Sequence, residues 1–340
     1  MKRKKILKII IDFFAVLVIL VICGVIFLKY FLPNIKVKDL KVEVTKERIE
    51  RGKYLANHVM VCVDCHSRRD WSKYSGPIVP GTEGMGGEIF DQKMGLPGKY
   101  ISSNITPYFL ASWSDGEIYR AITSGVGKRN NTIFPIMPVE SYGTLDDEDI
   151  YCVIAYLRTI PPIKNDIPAS KSDFPVNFLI NTMAKEGHPS KRPSQQDSLK
   201  YGKYITTAAA CLDCHTPVDD KGNLIMEKAY SGGREFPMEG GGTIVSTNIT
   251  FDKKTGIGEW DKDKFIHVFK SYDIITYVPA NVEKGDINTL MPWTMYAKMD
   301  TADLASIYNY LKSLPPIGNN VVKSKSSSDK RAANRLEILN

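Results

Sequence analysis

The 340-residue chain has little basic charge outside its first segment. Its formal charge is +7, and residues 1–32 hold +5 of that through Lys2, Arg3, Lys4, Lys5, Lys8 and Lys29 against Asp12. The remainder carries about +2, no basic surface stands out and no nucleic-acid motif is present, so no nucleic-acid partner is expected. Histidine is scarce, with five residues, and so is cysteine, with six. Only Cys23 and Cys152 lie outside two CxxC pairs, so a disulfide framework is not the natural reading. Hydrophobic content of 43% and charged content of 24% are ordinary for globular protein, and the length suffices for two domains plus connectors.

Phe13 to Leu28 runs without a charged or strongly polar side chain, and Ile9–Ile11 and Tyr30–Leu32 extend the run to bilayer-spanning length, roughly 20 residues. The basic cluster at 1–8 should stay in the cytoplasm, with 9–32 as a single-pass anchor and everything after Leu32 exported, on the periplasmic side. A cleaved signal peptide is the rival reading. No small-x-small cleavage site follows the apolar run, which favours the anchor. Cys23 reads as a lipid-facing or interfacial thiol.

Cys62-Val63-Asp64-Cys65-His66 and Cys211-Leu212-Asp213-Cys214-His215 both read CxxCH, the c-type haem attachment signature. Two thiols one helical turn apart can each form a thioether to one vinyl group of a porphyrin. The next residue is then held at the iron, so His66 and His215 take axial roles. A zinc site of Cys62, Cys65, Cys211 and Cys214 would have to bridge a long gap and leaves both histidines unexplained. A thioredoxin-like pair needs a single CxxC in a βαβ setting, and no such pattern is present. Two haem c cofactors are therefore expected.

The halves repeat beyond this motif. Gly52-Lys53-Tyr54-Leu55 matches Gly202-Lys203-Tyr204-Ile205, Asn104-Ile105-Thr106 matches Asn248-Ile249-Thr250, and Ser112-Trp113-Ser114 matches Glu259-Trp260-Asp261. Met137-Pro138 matches Met291-Pro292, and each half closes on Pro161-Pro162 or Pro315-Pro316. Ile150, Val153, Ile154 and Leu157, and again Leu304, Ile307, Tyr308 and Leu311, fall at i, i+3, i+4 and i+7, one apolar helix face. Asp146 and Asp300 are expected N-caps, with Asp149 and Asp303 in capping-box positions. Cys152 is expected to be a buried structural thiol. The resulting boundaries are a linker at 33–45, a first domain at 46–164, an extended linker at 165–195 whose middle lies on a domain surface, a second domain at 196–318 and a mobile tail at 319–340.

The sixth iron ligand decides between electron transfer and small-molecule chemistry. Met137 and Met291 sit at matching loop positions beside proline, which restricts the backbone and holds the sulfur. Their rivals are Met85, Met94, Met238, Met295 and Met299, with Met295 nearest. Trp113, Trp260, Tyr142 and Tyr296 are weaker candidates for contact with haem propionates. His58 reads as a surface or propionate contact, with alternative ligation as a further option. His267 reads as structural and His188 as uninformative.

On these residues the chain resembles the cytochrome c family, and within it the membrane-bound cytochrome c subunits of periplasmic alcohol, aldehyde or gluconate dehydrogenases. The likeness rests on Gly-Lys-Tyr before each CxxCH, on Asn-Ile-Thr, on Thr255-Gly256-Ile257-Gly258-Glu259-Trp260, on Met-Pro and on the closing Pro-Pro, over about residues 48–318. It implies an all-α architecture: a transmembrane helix, then two tandem cytochrome c-like domains, each of three to five helices around one haem. It also implies redox partners such as a dehydrogenase, a cytochrome or an oxidase. Those subunits usually carry three haems and this chain has two motifs. The second half also has Ser271-Tyr272-Asp273 and a longer approach to Met291 where the first has Ser124-Gly125-Val126. Both departures leave the partner open. An electron carrier is the favoured function; a dihaem peroxidase or thiosulfate-oxidising enzyme, and a haem sensor, are the competitors.

Overall fold

An uninterrupted apolar run favours one continuous helix, since every backbone group is then satisfied internally. In the computed structural model, which describes residues 2–220, 222–238, 242–283, 286–322 and 324–325, helix α1 covers Lys2–Tyr30 and its side chains are exposed along almost the whole length. It is long and apolar enough to cross a membrane. Lys323 and residues 326–340, most of the expected tail, lie outside the described residues.

Each half is then built on a crossing of two helices. In the first, α2 (Lys46–Tyr54), capped by Thr45, packs against α7 (Asp147–Leu157). In the second, α9 (Ser198–Ala208) packs against α13 (Thr301–Ser313). The predicted faces of α7 and α13 are buried. Gly52 and Gly202 permit the crossings: a Cβ on Gly52 would lie 1.8 Å from the Cys152 carbonyl oxygen, and one on Gly202 would lie 2.1 Å from that of Ser306. Cys152 is buried at this crossing, as its place on α7 implies.

Between the crossing helices run α3 (Cys62–Cys65), α4 (Pro107–Leu110), α5 (Asp115–Ser124) and α6 (Val139–Tyr142) in the first half. The second half has α10 (Cys211–His215), α11 (Lys262–Lys270) and α12 (Trp293–Tyr296). The all-α expectation holds for the bulk of the chain. It missed two small antiparallel sheets: β1 (Ile89–Phe90), β2 (Gly98–Ile101) and β3 (Lys171–Ser172), and β4 (Glu235–Pro237), β5 (Thr243–Val245) and β6 (Ser324–Lys325). β3 and α8 (Val176–Leu179) both come from the segment between the repeats.

The capping expectation is corrected in part. Asp146 caps α7 by accepting from the Glu148 amide, whereas Asp300 makes no side-chain cap. Asp149 and Asp303, almost fully buried, do not close capping boxes. Asp149 accepts two bonds from Arg51 at 3.1 Å, one from Arg192 at 2.5 Å and one from the Tyr204 hydroxyl at 2.7 Å. Asp303 accepts from Tyr54 at 2.7 Å and Tyr201 at 3.0 Å. A buried carboxylate persists only with such partners. The halves are thereby cross-tied: Tyr54 of the first reaches Asp303 of the second, and Tyr204 of the second reaches Asp149 of the first. Each hydroxyl also accepts the amide at the start of the opposite closing helix, Asp300 or Asp146.

Candidate haem-attachment sites

The approach to each CxxCH is set by where its helix stops. From Gly52 to Cys62 is ten residues, and from Gly202 to Cys211 only nine. The extra residue is absorbed by a π-helical turn, Leu55–Val59, closed by the Met60 amide on the Leu55 carbonyl at 2.7 Å. A π-turn is how a helix takes one insertion without losing its register at both ends. His58 sits in this turn. Its half-buried ring lies 6.2 Å from that of Tyr54, its Nδ1 is buried without a hydrogen-bond partner among the described residues, and burial holds its proton affinity down. The surface reading of His58 is therefore corrected. After the helix, Val61 (φ 46°) and Ala210 (φ 51°) take left-handed backbone, reversing the chain so that a new short helix begins at the first cysteine. Such backbone is costly for a β-branched residue and is characteristic of functional sites.

The two imidazoles are held alike. His66 Nδ1 lies 2.7 Å from the Ser103 carbonyl oxygen and His215 Nδ1 lies 2.8 Å from that of Thr247. A carbonyl can only accept, so Nδ1 carries the proton and Nε2 keeps its lone pair, the form that binds a metal. Burial also favours the neutral ring, against the opposing effect of these bonds. The Asn-Ile-Thr motif explains itself here. Asn104 Oδ1 accepts from the amide and hydroxyl of Thr106, and its Nδ2 donates to the Ile163 carbonyl; Asn248 does the same with Thr250 and Ile317. These bonds fix the turn whose preceding residue presents its carbonyl to the histidine. Gly86 and Gly232 approach that turn so closely that a Cβ would lie 2.5 Å and 2.4 Å from the carbonyl carbons of Ser103 and Thr247.

Cys62, Cys65 and Cys211 are half-buried and Cys214 is exposed, and none is in a disulfide. Yet burial pushes the thiols of the first three up to about 12 and that of Cys214 to about 11. Two thiols a turn apart and a neutral imidazole with a free Nε2 are the donor set a thioether-linked haem requires.

Met137 and Met291 are half-buried and pack against the core. Each is followed by a proline of near-identical conformation, Pro138 (φ −76°, ψ 60°) and Pro292 (φ −80°, ψ 63°), that caps α6 or α12. Met295 and Met299 are buried in the second half's core, and Met295 matches Ser141 of the repeat. Tyr142 and Tyr296 spend their hydroxyl protons on the backbone. Their buried hydroxyls donate to the Met60 and Ala209 carbonyls, both at 2.7 Å, which latches each methionine loop to the turn before the first cysteine. Trp113 and Trp260 pack partly buried against the core, and His267 is exposed on α11.

Sequence reasoning missed how each methionine loop is held by the opposite half. Ser141 Oγ donates to Asp213, inside the second CxxCH, at 2.9 Å. Ser75 Oγ donates to the Met291 carbonyl at 2.6 Å, and Asn288 accepts the Ser75 amide at 2.8 Å. Tyr272 stacks on Trp293 at 4.8 Å, and the Tyr74 ring lies 6.4 Å from Tyr272. Asp64, inside the first motif, pairs with buried Arg69 at 3.0 Å, and burial still raises its pKa to about 6.

No family model matches the chain. It is similar to the cytochrome c subunit of a quinone alcohol dehydrogenase from Gluconacetobacter polyoxogenes, 28% identical over 289 residues, covering 79% of this chain and 56% of that protein. The cytochrome c subunit of gluconate 2-dehydrogenase from Pantoea cypripedii is 27% identical over 287 residues, covering 78% and 59%. The chain's homologues are cytochromes c. They include a dihaem c-type cytochrome from Cereibacter sphaeroides, 24% identical over 267 residues, of which the match covers 82%. The chain spans a little over half the length of the dehydrogenase subunits it matches.

Proposed function

We propose that this protein is a membrane-anchored dihaem cytochrome c that passes electrons on the extracytoplasmic side, between a dehydrogenase or quinol-linked donor and a terminal acceptor. In this reading Cys62 and Cys65 hold one haem and Cys211 and Cys214 the other, His66 and Met137 ligate the first iron and His215 and Met291 the second, and α1 remains as the anchor. The observation that carries it is the duplication of one arrangement: CxxCH after a left-handed residue, imidazole Nδ1 on a backbone carbonyl, and a Met-Pro loop latched by a tyrosine to that same left-handed turn. A Met-Pro loop in each half supports the carrier over an enzyme of the peroxidase or thiosulfate-oxidising type, which would need one open site.

When bound, haem supplies an iron that changes by one electron, and a thioether ligand favours the ferrous state. The protein's part is positional. Ser103 and Thr247 fix the histidine tautomers and raise their basicity as ligands. Tyr142 and Tyr296 keep the methionine loops at constant distance from the cysteine turns, so that ligation changes little when charge changes. The contacts Ser141–Asp213 and Ser75–Met291 bring each methionine loop against the opposite half, so the two sites are joined by packed protein.

The deciding measurement is the visible and electron-spin-resonance spectrum of the matured, oxidised protein in detergent. Two low-spin irons with methionine–iron charge transfer, one lost in Met137→Ala and the other in Met291→Ala, are expected. One high-spin iron, or a band unaffected by either change, refutes the reading for that half.

A further inference from the structure

The segment between the repeats carries an apolar cluster that no described residue covers. Phe174 is 80% exposed, and Phe178 and Leu179 are exposed beside it on α8. The two phenyl rings meet edge to face at 6.2 Å. Soluble surfaces rarely gather large apolar side chains in this way without a partner.

Its position says what the partner is. α8 and the 3-10 turn after it, Ile180–Thr182, pack against α1. Asn181 Nδ2 donates to the Leu28 carbonyl at 3.1 Å, one of the last carbonyls of α1, which lack helical partners. Asn181 Oδ1 in turn accepts from Thr132 of the first half at 3.1 Å. The other side of the segment is fixed by the β2–β3 pairing and by the Asp173 amide on the Pro97 carbonyl at 2.9 Å. Pro33 and Ile35, just past the helix, are bound through their carbonyls by Asn130 and Arg120.

Leu28 lies four residues before Leu32, the end of the apolar run, or about 6 Å along the helix axis. A segment bonded at Leu28 is therefore level with the last apolar turn of α1. Tyr30 and Phe31 are exposed on that turn. Aromatic side chains favour this depth, the boundary between headgroups and acyl chains.

We propose that residues 174–180 form a second membrane contact, with Phe174, Phe178 and Leu179 lying in the outer boundary of the bilayer beside α1. This rests on the reading that α1 is retained as an anchor. The first half then meets the membrane at two points, which fixes its tilt and stops it rotating about the helix.

The test uses the full, haem-loaded chain in phosphatidylcholine liposomes, in a Cys23→Ser background. Cys152 is buried at the helix crossing, and the other four cysteines are in thioethers under the proposed function. Spin labels are placed on F174C and F178C, with V16C inside α1 as the lipid reference and K228C as the aqueous reference. Power saturation with oxygen and with a water-soluble nickel chelate reads the depth. The proposal expects labels 174 and 178 to lose nickel accessibility several-fold relative to 228 and to approach the oxygen accessibility of 16. Nickel accessibility equal to that of 228, while 16 remains in lipid, overturns the proposal and leaves the anchor standing. Protection from both reagents also overturns it, because protein then covers the patch. If label 16 is itself aqueous, or is missing from the mature chain, the anchor reading fails and the proposal falls with it. Phe174 is exposed, so its replacement does not disturb the core, and the haem spectrum of each variant checks this.

Discussion

Replacing Gly52 by alanine sets two effects of known sign against each other. Alanine favours a helix over glycine by about 1 kcal/mol. The added Cβ, however, would sit 1.8 Å from the Cys152 carbonyl oxygen and 2.9 Å from the Tyr156 Cβ. Carbon–oxygen contact begins near 3.3 Å, so α2 and α7 must part by about 1.5 Å, and overpacking of this kind costs about 1–3 kcal/mol. The obstacle is backbone, which cannot rotate away, so the upper end applies and the net loss is about 2 kcal/mol. For a unit of this size that lowers Tm by about 4–8 °C. The assay is thermal loss of the haem absorption of the matured protein. Gly202→Ala, with 2.1 Å to the Ser306 oxygen, should give a similar shift. An unchanged or raised Tm for both variants would refute the crossing geometry. Because α2 and α9 run directly toward the cysteine turns, the methionine charge-transfer band should fade before the haem absorption does.

Three further expectations follow from the same geometry. Tyr142→Phe leaves the buried Met60 carbonyl without its partner at a cost of about 1–3 kcal/mol, and should make methionine ligation in the first half fail at lower temperature and lower pH on the alkaline side; an unaltered band would show that the latch is idle. Asp146 is held below the usual carboxylate range, because bonds from the Arg192 and Glu148 amides and from Lys191 outweigh the opposing effect of its burial. The folded state therefore binds this proton more weakly than the unfolded one. The stabilisation is complete above pH about 4 and is lost as pH falls through the lowered value, so Asp146→Asn should flatten the acid limb of a stability–pH curve. Deleting Asn57 should turn the π-turn into ordinary helix and give the first half the nine-residue spacing of the second. Retained haem binding with only a small drop in Tm is expected, and loss of haem from the first motif would count against the insertion account.

The repeat, both CxxCH motifs and the apolar faces of α7 and α13 were legible because each is a local pattern that periodicity or spacing exposes. The role of Asn104 and Asn248 was half legible: the motif was visible, but its bonds to Ile163 and Ile317 join residues far apart in the chain. Tyr54 and Tyr204 looked like parts of a helix signature, and Asp149 and Asp303 like capping residues. Their true partners lie across the repeat interface, where no sequence period reaches. The π-turn left a readable trace, the one-residue difference in spacing before the cysteines. The small sheets left none, since strands of two to four residues carry too little alternation to register. The segment around Phe174 read as apolar, but its ties to Leu28 through Asn181 and to β2 through β3 join residues too far apart in the chain for a sequence pattern to show.

The crossed tyrosines bear on how such a protein is made. With the halves apart, Asp149 loses Tyr204 and Asp303 loses Tyr54, so neither carboxylate has its full set of partners until both halves are present. Closing the pair also sets Ser141 against Asp213 in the second attachment motif. Yet Cys214 stays exposed with the halves joined, so docking completes the partners of both carboxylates without closing off the second motif.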